Sequence, residues 1–76
     1  MMQENLKNLK SACVGYVTHI GGNYAIKRHM QNAGFRVGVK IVVLNVTPYT
    51  SNYLLDVGGR VKAIKKMAVS LITVSI

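Results

Sequence analysis

Two glycine pairs punctuate this chain: Gly21-Gly22 ends a strand-like run, and Gly58-Gly59 sits between two more. Ahead of the first pair, residues 13–20 are rich in β-branched and aromatic types, the composition of a strand. Each glycine pair supplies the φ freedom that a turn needs. The single helical pattern follows the first pair. Asn23 is placed to cap a helix, Ile26, Met30 and Ala33 recur at i, i+4 and i+7, and Gly34 stands where a left-handed residue ends one. This spacing predicts a helix over about residues 24–33, with Phe35 folding back on Met30 and with Lys27, Arg28 and Gln31 on the outer face.

Beyond Gly38, which permits the turn out of the helix, the pattern is strand-like again. Residues 39–46 are dense in β-branched types, with Val39, Ile41 and Val43 on one side. Residues 47–52 form a polar loop, 53–57 a strand, Gly58-Gly59 a two-residue hairpin turn, and 60–64 its return strand. Residues 65–68 suit one helical turn, and 71–76 alternate apolar with hydroxylated residues as a half-buried strand does. Residues 1–10 read as a polar leader that packs one leucine on the core. The expected fold is mainly β: a small antiparallel barrel of about five strands, with one short helix between the first two. Closing the barrel would hide the strand edges. A chain of 76 residues buries only about 60–65% of its unfolded surface, so a single domain over residues 1–76 is expected.

Charge then limits the chemistry. Ten Lys and Arg against two Asp and Glu give a net +8. Glu4 and Asp56 are the only carboxylates, so no pair exists for acid–base work, and no enzyme is expected. Cys13, His19 and His29 are the candidate metal ligands, and they are poor ones. His29 has alanines at i±4, and Cys13 and His19, on one strand face, lie roughly 20 Å apart. The expectation is no metal site and no cofactor, with Cys13 a small core or edge residue and both histidines on the surface. A lone thiol, no apolar segment behind the N-terminus, and a longest uncharged run of 15 residues broken by Pro48 indicate a cytoplasmic protein without a spanning helix.

The cations fall in two groups, Lys27, Arg28, Arg36 and Lys40 around the helix, and Arg60, Lys62, Lys65 and Lys66 around the hairpin. They read first as a solvated surface, then as a protein-docking face, and last as a nucleic-acid site, because Tyr16, Tyr49 and Tyr53 are the only aromatics counted as free to stack. Tyr49 and Tyr53, in and beside the polar loop, suit an interface through their combination of ring and hydroxyl. Val- and Ile-rich strands and an apolar C-terminal Ile76 leave room for self-association.

The order of these features resembles the FeoA family of ferrous-iron transport proteins, and with it the SH3-like C-terminal domain of iron-dependent repressors. The basic helix 26–30, Ala33-Gly34-Phe35, Val37-Gly38, Thr47-Pro48, the Gly58-Gly59 hairpin, Ala63-Ile64-Lys65 and Ile72-x-Val74 carry the resemblance over residues 6–76. The chain departs from the family pattern at Ala12, where a glycine is common, and at Met30, Ala33 and Ala68. The resemblance implies an SH3-like barrel and a non-catalytic adaptor of bacterial ferrous-iron uptake. Such an adaptor would dock on the cytosolic, GTP-binding part of the FeoB-type transporter through Lys27, Arg28 and Gln31 or through Tyr49 and Tyr53, with no small-molecule substrate. A small basic nucleic-acid-binding barrel is the alternative.

Overall fold

The computed structural model describes residues 2–47 and 52–76. The strands are β1 (Gln3–Asn5), β2 (Val14–Ile20), β3 (Lys40–Thr47), β4 (Asn52–Val57), β5 (Arg60–Lys65) and β6 (Ile72–Ser75). All pair antiparallel in one sheet of order β1-β6-β2-β3-β4-β5. Helix α1 (Tyr24–Asn32) joins β2 to β3, the short α2 (Lys66–Val69) joins β5 to β6, and a 3-10 turn, Leu6–Asn8, follows β1. The fold is mainly β and SH3-like, as expected, but it has six strands and the sheet does not close. β1 and β5 end the order with one neighbour each. Between those edges α2 packs against β4, β5 and the 3-10 turn, so helical turns stopper the opening that strand pairing would otherwise have closed.

The expected N-terminal leader is instead part of the fold. β1 pairs with β6, Gln3 opposite Ser75 and Asn5 opposite Thr73. Leu6 and Leu9 are both buried, because a 3-10 turn eclipses residues three apart and turns both leucines to one side. The Asn5 side-chain amide donates to the Ser70 carbonyl at 2.7 Å, and the Tyr53 hydroxyl donates to the Lys7 carbonyl at 3.1 Å. Gln3-Glu4-Asn5 has no strand composition, so this strand exists through backbone pairing and the leucine anchors behind it.

Helix α1 keeps its expected caps. The Asn23 side chain accepts from the Ile26 amide at 2.9 Å. At the other end the Phe35 amide donates to the Met30 carbonyl and the Gly34 amide to the Gln31 carbonyl, both at 3.0 Å, with Gly34 at φ +100°. That crossed pair is a Schellman motif, which needs a residue with positive φ at the position of Gly34. It turns Phe35 into the core beside Met30; burying a side chain of that size stabilises by about 1.5–3 kcal/mol. The rest of the core comes from alternate residues of the strands, among them Val17, Ile41, Val43, Leu55, Ile72 and Val74.

Two register shifts bend this alternation, one between Val17 and His19 in β2 and one between Val43 and Asn45 in β3. An extra residue in one strand reverses which side chains face the core beyond it. Val17 and Ile20 are therefore both buried, and Val43 and Val46 both pack inward. The Gly58-Gly59 hairpin has positive φ at both positions, +59° and +95°, the geometry of a type I′ turn. Gly38 lies at φ +93° between α1 and β3.

Candidate functional site

The expected basic helix face is present, and tertiary packing gives it a floor. Lys27 and Gln31, one turn apart on α1, border a depression of about 640 Å³ together with Asn32, Arg36, Thr18 and His19. Arg28 is exposed on the same helix and does not line this depression. A second depression, about 320 Å³, lies beyond the end of α1 and is lined by Arg36, Arg60 and Lys62. Arg36 thus joins two cation groups that are far apart in sequence. Among the described residues no lysine or arginine has an ion-pair partner.

Of the two loop tyrosines, Tyr49 lies outside the described residues. Tyr53 is not a surface residue: it is 5% exposed, and its hydroxyl is spent on Lys7. The reason is β4 alternation, which sends Tyr53, Leu55 and Val57 to the core together. That period-two signal was present in the sequence. A different tyrosine is exposed. Tyr24 is 77% accessible at the first position of α1, one turn ahead of Lys27 and Arg28, and so adds an aromatic ring to the basic face.

The three candidate metal ligands are dispersed. Cys13 precedes β2 and packs partly against the core. His19 does not share its strand face, because the register shift after Val17 turns His19 outward to the depression beside Lys27. His29 lies on the opposite flank of α1. Among the described residues no three His, Cys, Asp or Glu side chains cluster.

That opposite flank is apolar. Ile26, Met30, Met67, Ala68 and Leu71 line a trough of about 340 Å³ between α1 and α2, with His29 and Lys65 at its margin. Met67 is 81% exposed there. The sequence periodicity placed Ile26 on the core face with Met30; in the fold only Met30 is buried, and Ile26 is 40% exposed.

The two carboxylates are apart and engaged locally. Asp56 accepts from the Gly59 amide at 2.8 Å within the β4–β5 hairpin. Glu4, on β1, accepts from the Asn8 side chain at 2.7 Å and the Asn5 amide at 3.1 Å, bonds that hold its carboxyl below the usual range. No polar or charged side chain is buried among the described residues.

The class is thus a small, open SH3-like β domain with a cationic helix face and an apolar trough behind it. Residues 4–76 match the FeoA domain, and the chain belongs to the FeoA family, which is associated with ferrous-iron uptake. It is similar to an iron uptake regulatory protein (FeoA) of known crystal structure, at 24% identity and a TM-score of 0.86, over 99% of this chain and 97% of that one. The solution structure of the FeoA protein from Chlorobium tepidum gives 25% identity and a TM-score of 0.86, over 96% of this chain and 70% of that one. A manganese-dependent transcriptional repressor in complex with manganese reaches a TM-score of 0.91 at 16% identity, over 99% of this chain and 37% of that one, a likeness of fold alone. No curated protein sequence matches the chain.

Proposed function

We propose that the protein is a non-catalytic cytoplasmic accessory of bacterial ferrous-iron uptake. It docks on the cytosolic, GTP-binding part of a FeoB-type membrane transporter and supports or regulates transport. Family membership supports the process. The observation that carries docking is the face of α1, where Lys27, Gln31 and Arg36 surround one depression and no carboxylate neutralises them. The complement of such a face is an acidic protein surface, which it would steer into contact. Glu4 and Asp56 sit on strands that are not neighbours, and each is occupied by local donors, which supports a role without acid–base catalysis. No helix among the described residues is long and apolar enough to cross a membrane.

Calorimetric titration with the purified cytosolic domain of the transporter tests the proposal. Reversing charge at Lys27 and Arg28 is expected to weaken binding by about tenfold or more. Binding indifferent to Lys27→Glu, Arg28→Glu and Tyr49→Ala would remove both surfaces, and no binding would remove docking itself. The exposed Tyr24 beside Lys27 and Arg28 favours one second reading, a nucleic-acid site built on stacking and phosphate contacts. Filter binding across a salt series separates the two, since phosphate contacts make affinity fall log-linearly with salt. An absence of retention at low salt eliminates that reading.

A further inference from the structure

The edge of β5 and the trough beside it fit together as one site. β5 pairs only with β4. Val57 and Arg60 flank the two-residue turn and so form a hydrogen-bonded pair, and pairing then alternates along the hairpin. Arg60, Lys62 and Ile64 therefore bond inward to β4, while the backbone N–H and C=O groups of Val61 and Ala63 point away from the sheet. Among the described residues those groups have no partner. Val61 is 61% exposed. Unpaired strand edges of this length are templates for another strand.

Alongside this edge the flank of α1 forms a continuous channel. The trough between α1 and α2 shares His29, Met30, Lys65 and Ala68 with a second hollow of about 340 Å³ between α1 and β5. Ala33 joins that hollow to the depression beside Arg36, Arg60 and Lys62. One end of the channel is thus apolar and the other cationic, and no carboxylate lines any of its three parts.

We propose that this channel is a docking groove for an extended acidic segment of a partner protein. The segment adds as a strand to the free edge of β5, places carboxylates on Arg36, Arg60 and Lys62, and seats one apolar side chain between Ile26 and Met67. The occupant follows from charge and backbone chemistry. A second copy of this chain carries the same +8, and both of its carboxylates are engaged locally, so it cannot supply an acidic strand. Nucleic acid would meet the cations but offers no peptide ladder to the Val61 and Ala63 groups and no apolar side chain to the trough. The proposal rests on the docking reading above and refines it to a second surface, behind α1.

Selection from a displayed library of random short peptides, followed by amide hydrogen exchange, tests it without assuming the partner. Enriched sequences are expected to alternate acidic with apolar residues, and a synthetic peptide of the enriched sequence is expected to slow exchange at Val61 and Ala63. Lys62→Glu is expected to weaken that peptide by about tenfold. Ala63→Pro removes an outward N–H and leaves the β4–β5 bonds in place, so loss of binding with an unchanged melting curve supports strand addition. If Ala63→Pro does not fold, Lys62→Glu and the exchange pattern decide. Enrichment of basic or no sequences, protection elsewhere on the chain, or a concentration-dependent dimer with protected Val61 overturns the groove. Binding of the transporter domain unaffected by Lys62→Glu and Ala63→Pro overturns the groove and leaves docking through the outer face of α1. Peptide binding without transporter binding overturns the transporter and keeps the groove.

Discussion

The two edges of the sheet solve the same problem in opposite ways. β1 is three residues of polar sequence, yet everything around it is anchored. Leu6 and Leu9 are buried behind it, Asn5 reaches the turn before β6, and Tyr53 holds the backbone of Lys7 from across the sheet. β5 is six residues with only Val61 and Ile64 as strand formers, and its outer backbone groups are left open and lined with cations. Shortness and anchoring blunt the first edge, whereas the second relies on like charge, which disfavours pairing with a copy of itself and, under the proposal above, attracts an acidic strand.

The largest way to break this contrast is to remove the anchor of β1. Leu6→Ala is expected to cost about 2–5 kcal/mol, because it empties a fully buried site next to β6. At this chain length each 1 kcal/mol shifts the midpoint by about 4–8 °C, so calorimetry should show a fall of about 8 °C or more. Unchanged melting would mean that β1 is as free as β5. Tyr53→Phe removes one hydrogen bond and little volume, with an expected loss of about 1 kcal/mol in denaturant titration.

A change in the other direction lies in the turn that leads from the anchored segment into β2. Ala12 is held at φ +72°, in the turn where the Cys13 amide donates to the Lys10 carbonyl at 3.1 Å. A left-handed alanine is strained by roughly 1–2 kcal/mol, and glycine relieves this at some cost in unfolded-chain entropy. Ala12→Gly is therefore expected to stabilise by about 1 kcal/mol, measured by the same titration. The open edge should respond far less: Ala63→Pro is expected to change stability by under about 0.5 kcal/mol, since no internal bond is lost. Native-state exchange should rank the amides likewise, with the bonded amides of β1 slow and those of Val61 and Ala63 fast.

The smallest effect belongs to Glu4. Its carboxyl is held below the ordinary value of 4.5, first by the Asn8 side chain and then by the Asn5 amide. A folded value lower than the unfolded one contributes stability above the unfolded pKa, and that contribution is lost as pH falls through the folded value. Acid titration of Glu4→Gln against the parent should show the parent's small advantage fading as pH falls below the ordinary carboxylate value. An advantage that grows on acidification would contradict the assignment.

Much of the fold was legible because its signals are local. Asn23 and Gly34 mark the ends of α1 through bonds made within a few residues, and the Gly58-Gly59 turn fixes its own hairpin. The parts that were missed depend on distant partners. Gln3-Glu4-Asn5 becomes a strand only because β6 offers an edge from the far end of the chain. The register shifts in β2 and β3 are features of pairing, so the reading of Cys13 and His19 on one strand face could not anticipate them. Tyr53 carries two conflicting local signals, a place beside a polar loop and alternation with Leu55 and Val57, and burial follows the alternation.

The candidate site divides along the same line. The sequence by itself determined that the chain is a basic, mainly β domain of the FeoA kind, with one capped helix carrying Lys27, Arg28 and Gln31 and with only two carboxylates. These are matters of composition and of spacing within single elements. Only the tertiary structure decided that Arg36 meets Arg60 and Lys62, that Ile26 is left half-exposed beside Met67, and that the sheet stays open at β5. Those outcomes depend on packing between segments far apart in the chain, α1 against β5 and α2, and α2 against the 3-10 turn, which no local pattern encodes.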